Sequence, residues 1–413
     1  MWGLDIAVAG CGPAGLSAAL LLARGGHNVR IFERFETPRP IGSGLMIQPT
    51  GLAVLAALGL DQPLLDAGAR IERLFGLTVP GRRKVLNVRY DWMAGGHFGT
   101  GVHRATLFDI LYRAVGEAGV AIETGRTIAG SVADSGGRAL LFADGDRSAR
   151  FDLVVDCLGA GSPLAPQCGS ALPYGALWAT LDWPEGNAFD PAALEQRYVR
   201  ANRMVGVMPV GRGLGAGRAQ AAFFWSLRAD RLDDWRKAGL AAWKDEVRAL
   251  WPATAPFLDQ IADPDQLTFA RYAHRTLPRP HWHALIHIGD AWHSTSPQLG
   301  QGANLAMLDA FALAQALRES RRIGEALIRA AAMRSFHVRL FQLLSAVFTP
   351  AYQSDGRVLP FVRDRIVGPF TNLWPATEIQ AAMVTGLIGN PLGRLNLVAQ
   401  SSTGPRPVPA RTA

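Results

Sequence analysis

The chain has 413 residues, 49% of them hydrophobic and 18% charged. That excludes a disordered or low-complexity protein and supplies apolar surface for two domains, or for one large domain with a subdomain. Cys11, Cys157 and Cys168 are too few and too scattered for a disulfide framework or a zinc site, which points to a reducing, cytoplasmic compartment and to no bound metal. The net charge of +8 comes from 42 Lys and Arg against 34 acidic residues, and only Lys84, Lys237 and Lys244 are lysines. Arginine forks suit phosphate and carboxylate. The arginines are spread along the chain rather than gathered in a stripe, which argues against nucleic acid and fits a plain solvated surface equally well.

The first informative stretch is residues 6–23, uncharged throughout and close to the length of a membrane span. It follows Asp5 instead of a basic region, and Gly10, Gly12, Pro13 and Gly15 interrupt it, so it reads as strand, turn and helix and not as a signal peptide. Leu4 to Ala9 is the strand, Leu16 to Arg24 the helix, and Gly25-Gly26 its end. A second strand runs from Val29 to Phe32 and closes on Glu33, completing a βαβ unit. Gly42 to Pro49 leads into a helical pattern over 51–58, and residues 70–95 read as strand and loop. Between Arg104 and Ala118 the apolar positions Leu107, Ile110, Leu111, Ala114 and Val115 recur at helical spacing. Strands follow at Val120 to Thr124 and Phe151 to Val155. Short alternating segments at 174–183, 204–210 and 220–228, with a polar helical insert at 230–250, predict a mostly antiparallel second domain over 170–275. Ala284 to Ile288 is again a buried strand, and a helix is predicted from about Gln301 to Arg318. The apolar remainder, about 325–398, is broken by prolines at 350, 360, 369, 375 and 391 and reads as several short helices. The proline-rich tail 401–413 reads as disordered. No later apolar run reaches span length, which predicts no transmembrane segment and leaves peripheral membrane contact open.

Gly10-Cys11-Gly12-Pro13-Ala14-Gly15 fits G-x-G-x-x-G. The string alone is a weak signal, and a glycine turn without a ligand is the plainer reading. Here it follows a strand, opens a helix and has Glu33 at the end of the next strand. Gly10 permits the tight turn, Gly12 lets the backbone approach a pyrophosphate, and Gly15 lets helix and strand pack closely. The helix N-terminus supplies free N–H donors and positive potential for phosphates, and Glu33 is placed to accept from ribose hydroxyls. The second informative segment is Gly289-Asp290-Ala291-Trp292-His293, followed by Pro297-Gln298-Leu299-Gly300-Gln301-Gly302-Ala303-Asn304.

Together these motifs resemble the class A flavin monooxygenases, the family of p-hydroxybenzoate and salicylate hydroxylases, over roughly residues 4–320. Gly42-Ser43-Gly44 with Pro49, and Arg104 before its helix, carry the likeness further. The resemblance implies an α/β fold, with a Rossmann-like FAD-binding domain (1–75, 98–169 and 276–325) and a mostly antiparallel β-sheet substrate domain (76–97 and 170–275), and the chain's own pattern adds a C-terminal helical segment (326–400). It implies FAD held by Gly10, Gly12, Ala14, Gly15, Glu33, Arg34, Gly44 and Arg104. Asp290 would grip the ribityl chain, and the loop through Pro297, Gly300, Gly302, Ala303 and Asn304 would run past the flavin ring. A helix N-terminus aimed at the ring's pyrimidine end stabilises the negative charge of reduced flavin. The implied reaction inserts one oxygen atom from O2 into an aromatic or conjugated small molecule through a flavin C4a-hydroperoxide, with NAD(P)H as electron donor.

One position departs from the pattern. Leu158 stands where the family carries an aspartate, and a leucine accepts no hydrogen bond, so Asp156 two residues earlier is the nearest carboxylate that could compensate. This departure motivates an alternative, a non-catalytic flavin-binding accessory protein. The apolar C-terminal segment motivates another, a reductase of a prenyl-type substrate. A flavin halogenase is disfavoured because no tryptophan has another two residues on. For the substrate pocket, Met208, Phe223 and Trp225 are the candidates, against the plainer reading that they fill the core. Tyr272 and His274 are the first residues to consider as a base for a phenol. His293 reads as a packing or flavin-loop residue, and His281, His283 and His287 lack metal spacing. Oligomeric state is not legible.

Overall fold

A computed structural model of the chain describes residues 3–38, 43–215, 217–368, 371 and 373–400. Gly42, Pro369 and the tail 401–413 lie outside the described residues. The fold is mixed α/β, built from two principal sheets and a helical C-terminal layer.

The first sheet has six strands in the order His281–Trp282, Leu285–His287, Leu153–Asp156, Asp5–Ala9, Asn28–Phe32, Ala121–Glu123. All neighbours are parallel except the antiparallel edge strand His281–Trp282. Helices α1 (Pro13–Arg24), α2 (Pro49–Ala57), α3 (Asp61–Ala67) and α4 (Arg104–Glu117) accompany it. The central strands are buried on both faces, as an apolar run without alternation requires. The expected strand Phe151 to Val155 is two strands. Arg147–Phe151 belongs to a separate three-stranded meander with Ile128–Asp134 and Gly137–Phe142, and Leu153–Asp156 joins the parallel sheet. The chain changes sheets at Asp152, whose carboxylate accepts the N–H of Asp5.

The second sheet has seven strands in the order Thr268–Ala270, Tyr174–Asp182, Gln220–Arg228, Arg203–Gly211, Ala193–Val199, Arg73–Thr78, Lys84–Arg89. It is antiparallel except where Ala193–Val199 meets Arg73–Thr78. A domain boundary between residues 75 and 76 would cut a strand that pairs along its whole length in this sheet, so that segment joins the second domain from residue 73 onward. Helices α5 (Leu232–Leu250) and α6 (Ala255–Leu258) cover one face.

Helix α7 (Gly302–Glu319) returns the chain to the first sheet and packs on α1, α2 and α8. The C-terminal layer departs from expectation. It opens with one 30-residue helix, α8 (Ile323–Tyr352), followed by α9 (Val358–Val362), α10 (Ala376–Thr385) and α11 (Pro391–Arg394). Pro350 falls in the last turn of α8, where the donor it lacks and its clash with the preceding turn affect only the final residues of the helix, and no proline precedes it in α8. Among the described residues, no helix is long and apolar enough to cross a membrane.

Candidate active site

The glycine turn between the first strand and α1 is shaped by close approach. Gly10 adopts φ 101°, and a β-carbon there would lie 2.8 Å from the carbonyl oxygen of Cys157. A β-carbon on Gly15 would lie 2.0 Å from the carbonyl oxygen of Gly10, so helix and strand meet at van der Waals distance only because residue 15 has no side chain. Gly12 is different: nothing lies within 4 Å of where its β-carbon would stand. It caps α1 without a side-chain acceptor, and Pro13 opens the helix. Space is therefore open at Gly12 beside the N-terminus of α1, whose first-turn N–H groups are the donor set a diphosphate needs. Glu33 is fixed beside them, its carboxylate accepting the N–H of Cys11 at 2.9 Å and of Phe35 at 3.1 Å. Arg34 is exposed and lies over the ring of Phe35 at 4.6 Å.

Gly289 brings the second motif to the first. Its φ is 58°, and a β-carbon there would lie 3.2 Å from Cβ of Ala14. The next residue, Asp290, is exposed in this cleft, yet protein crowds it on several sides. Burial raises its pKa, and the charges of His293 and Arg104 act in the opposite direction. A carboxylate that reaches open space from a poorly solvated cleft is placed to accept hydroxyl donors. Arg104 opens α4, and its backbone N–H donates to the carbonyl of Ser43 at 2.8 Å. In the loop from Pro297 to Ala303, Pro297 and Gly302 are exposed and Ala303 is half-buried. A β-carbon on Gly302, like one on Gly12, would meet nothing within 4 Å. Gly300 takes the left-handed conformation at φ 61°. These donors, the carboxylate and the two open glycine positions fit a dinucleotide with a sugar-alcohol tether, so the residues present suit FAD.

Three sequence candidates do other work. Asn304 is fully buried and spends its amide on the protein, accepting the N–H of Gln48 at 2.9 Å and donating to the carbonyls of Met46 and Gly300. It fastens the 44–49 segment to the flavin loop instead of presenting its side chain to a ligand. Gly44 packs on the second sheet, where a β-carbon would lie 2.4 Å from that of Ala222. Asp156 does not replace the missing aspartate at 158. It is wholly buried, with Oδ1 accepting the N–H of Leu158 at 3.0 Å and Oδ2 meeting the Ser162 hydroxyl and His287 Nδ1, each at 2.6 Å.

Strand parity sorts the substrate candidates. Phe223 and Trp225 share one face, but it is the face covered by α5, where both rings pack edge-on against Trp243 at 6.1 and 6.5 Å. They are core residues. Met208 lies on the opposite face with Met46, Tyr90, Val210, Ala222 and Val384. Phe224 shares that side, its ring 4.6 Å from that of Trp178. This face looks toward the flavin loop: the Tyr90 hydroxyl donates to Oε1 of Gln48 at 2.6 Å, while the buried Nε2 of Gln48 has no partner among the described residues.

At the rim of this face the Tyr272 hydroxyl accepts from the indole N–H of Trp178 at 2.9 Å. Burial pushes its phenol up to about 12, against the lowering effect of that hydrogen bond and of Arg104. His274 Nε2 lies 3.2 Å from the Ser345 hydroxyl, which lies 3.2 Å from that of Ser296 in the flavin loop. Burial lowers the His274 pKa. Tyr272 is therefore a neutral phenol at physiological pH, and His274 is a neutral imidazole able to take a proton. Sequence reasoning missed Gln48, Trp178, Ser296 and Ser345. Only the alternation of the 174–182 strand could have pointed to Trp178.

With this geometry in view, comparison with known proteins is direct. A family model described as FAD binding domain matches residues 3–331. An FAD-dependent urate hydroxylase of Klebsiella pneumoniae is 28% identical over 351 residues, covering 80% of this chain and 86% of the relative. An aurachin C monooxygenase/isomerase of Stigmatella aurantiaca is 27% identical over 346 residues, covering 80% and 85%. Among solved structures, Klebsiella pneumoniae HpxO complexed with FAD and uric acid superposes with a TM-score of 0.78 at 21% identity, over 93% of this chain and 98% of that one.

Proposed function

The chain belongs to the FAD-binding domain family, among the class A FAD-dependent aromatic monooxygenases, and from that premise we infer that it hydroxylates a flat, neutral, largely apolar aromatic or heteroaromatic molecule. It is an enzyme, an FAD-dependent monooxygenase with NAD(P)H as electron donor; its relatives do not favour a prenyl reductase or a non-catalytic accessory protein. The observation that carries the substrate class is the composition of the sheet face toward the flavin loop, where Met46, Met208, Ala222, Trp178 and Phe224 are all uncharged. Such a surface desolvates a ring and holds it by area and stacking. The compounds for which these relatives are named, urate and aurachin C, share a planar ring system, while the neutral, apolar character proposed for this substrate rests on the sheet face alone.

Bound FAD supplies the redox chemistry, accepting electrons from the nicotinamide and activating O2. We assign the protein four tasks. The amides of the Gly10–Gly15 turn and the first turn of α1 hold the diphosphate, with Glu33 on the adenosine ribose. Asp290 accepts from the ribityl hydroxyls and Arg104 lies beside them. The N-terminus of α7, open at Gly302, offsets negative charge on the reduced ring. His274, neutral and steadied by Ser345, takes the proton from a substrate hydroxyl, while the Tyr272 phenol orients that group. The site operates in a reducing cytoplasm, supported by the free thiols of Cys11, Cys157 and Cys168.

The test is to purify the chain, record its flavin spectrum, and follow NAD(P)H oxidation and O2 uptake across a set of phenols and heteroaromatics. Uncharged rings are expected to stimulate both. Stimulation confined to ring carboxylates would overturn the substrate class, and absence of bindable FAD would overturn the whole reading.

A further inference from the structure

The family match ends at residue 331, but the chain beyond it is tied to the flavin loop at both ends of that loop. At the first end stands Asp309 of α7. Its Oδ2 accepts the N–H of Gly289 at 3.0 Å and meets Nε2 of His293 at 2.5 Å, and its Oδ1 accepts Nε of Arg334 at 2.8 Å. Nη1 of Arg334 lies 3.0 Å from Nδ1 of His337, whose Nε2 lies 2.9 Å from the carbonyl oxygen of Gly386. Arginine can only donate, so Nδ1 of His337 is the acceptor and Nε2 carries the hydrogen given to Gly386. At the other end, Gln301 Nε2 donates to the carbonyl of Val384 at 2.7 Å.

Gly386 is locked in this place. Its φ is 78°, and a β-carbon there would lie 2.7 Å from Thr50 Oγ1 and 3.0 Å from Gln301 Oε1. The side chain of Val384 enters the same apolar cluster as Met46, Tyr90 and Met208. His293, Asp309, Arg334 and His337 are all 1–2% exposed. Burying such a chain adds little stability over apolar residues of equal volume, and what it does supply is fixed direction.

We propose that the turn Val384–Gly386 is a positioning element of the flavin site, and that Arg334, His337 and Gln301 are positioning residues linking it to both ends of the 289–303 loop. The first route runs through Asp309 to the N–H of Gly289, the residue before the ribityl-binding Asp290. The second reaches Gln301, immediately before the α7 N-terminus. A displacement of the turn therefore moves the tether site and the ring site together, and Val384 makes the turn sensitive to what lies on the substrate face. This rests on the FAD reading above.

The test compares the full-length parent with His337→Phe, His337→Gln and Gln301→Met. Phenylalanine preserves the ring contact with Phe341, 4.8 Å between centroids, but offers neither donor nor acceptor. Glutamine offers both. The readouts are the FAD dissociation constant, the absorption spectrum of bound flavin and the thermal midpoint. His337→Phe and Gln301→Met are each expected to weaken FAD binding roughly tenfold and to shift the bound-flavin bands, and His337→Gln to restore both. The proposal is overturned if His337→Phe lowers the thermal midpoint but leaves FAD affinity and spectrum unchanged, or if His337→Gln is as impaired as His337→Phe. Should His337→Phe fail to fold, unchanged affinity and spectrum in Gln301→Met overturn it. A parent that binds no FAD refutes the functional reading; a parent that binds FAD beside indistinguishable variants refutes this inference alone.

Discussion

In the proposed site Asp290 holds the cofactor and His274 takes the proton, and their replacement separates the two tasks. Asp290→Ala removes an acceptor placed for hydroxyl donors; loss of a hydrogen bond to a charged group costs about 1.5–3 kcal/mol, so FAD affinity falls by roughly 10- to 100-fold in a fluorescence titration. His274→Asn should leave that affinity unchanged and lower turnover about 100-fold, the scale of a lost general base. Because burial lowers the His274 pKa, its base form persists to more acidic pH than a free imidazole would allow. The acid limb of the turnover profile should therefore lie below the ordinary imidazole value of 6.5 in the parent and vanish in His274→Asn; a limb that stays in the variant assigns the proton to another group. Gly10 and Gly15 were legible as turn and packing residues because each has a conformational duty tied to its type. Residue type alone did not separate packing from ligand contact at Asn304 and Gly44, where the structure shows an amide bonded within the protein and a glycine packed on the second sheet.

Gly12 and Gly15 share one turn yet answer differently to an added methyl group, which makes the prediction at the scale of the element. Gly15→Ala drives a β-carbon to 2.0 Å from the Gly10 carbonyl oxygen, against backbone that cannot yield. It should destabilise the apo fold by several kcal/mol, on the order of the larger core strains, and be seen as a lowered urea midpoint. Gly12→Ala meets nothing within 4 Å and should leave that midpoint in place while weakening FAD binding. Equal effects on midpoint and affinity in both variants would contradict the assignment of Gly12 to the ligand. At this scale the sequence was read best in the short, largely apolar first two parallel strands and in the pure helical periodicity of α4. It was read worst in α8, whose buried face carries Arg334, His337, Ser345 and Thr349 at helical spacing. Those polar residues disguise an amphipathic helix, because hydrophobic periodicity cannot anticipate polar side chains that find partners only in the folded state.

For the molecule as a whole, ligand and proton act on the same equilibrium. FAD at a hundredfold excess over its dissociation constant should stabilise the fold by about 2.7 kcal/mol, a rise of several degrees in thermal midpoint over the apo chain. Burial, then the neighbouring Arg334 charge, pushes His337 down to about 3 from an ordinary 6.5. Between those values the unfolded chain binds a proton that the folded chain refuses, so stability is intact above pH 6.5 and declines as pH falls. The cost is about 1.4 kcal/mol per pH unit for one such group. His337→Gln should flatten the decline by one proton, read as the difference between the two urea-midpoint profiles from about pH 7 to about pH 5. The amino-acid sequence by itself determined the nucleotide turn, the alternation of sheet and helix, and the family, because those depend on residue types at short spacing. Only the tertiary structure decided which face of the 220–228 strand meets the flavin side, since parity names two faces but not their neighbours. It also decided that residues 384–386 reach back to residues 289 and 301, because hydrogen bonds across that separation exist only once packing has brought their partners within reach.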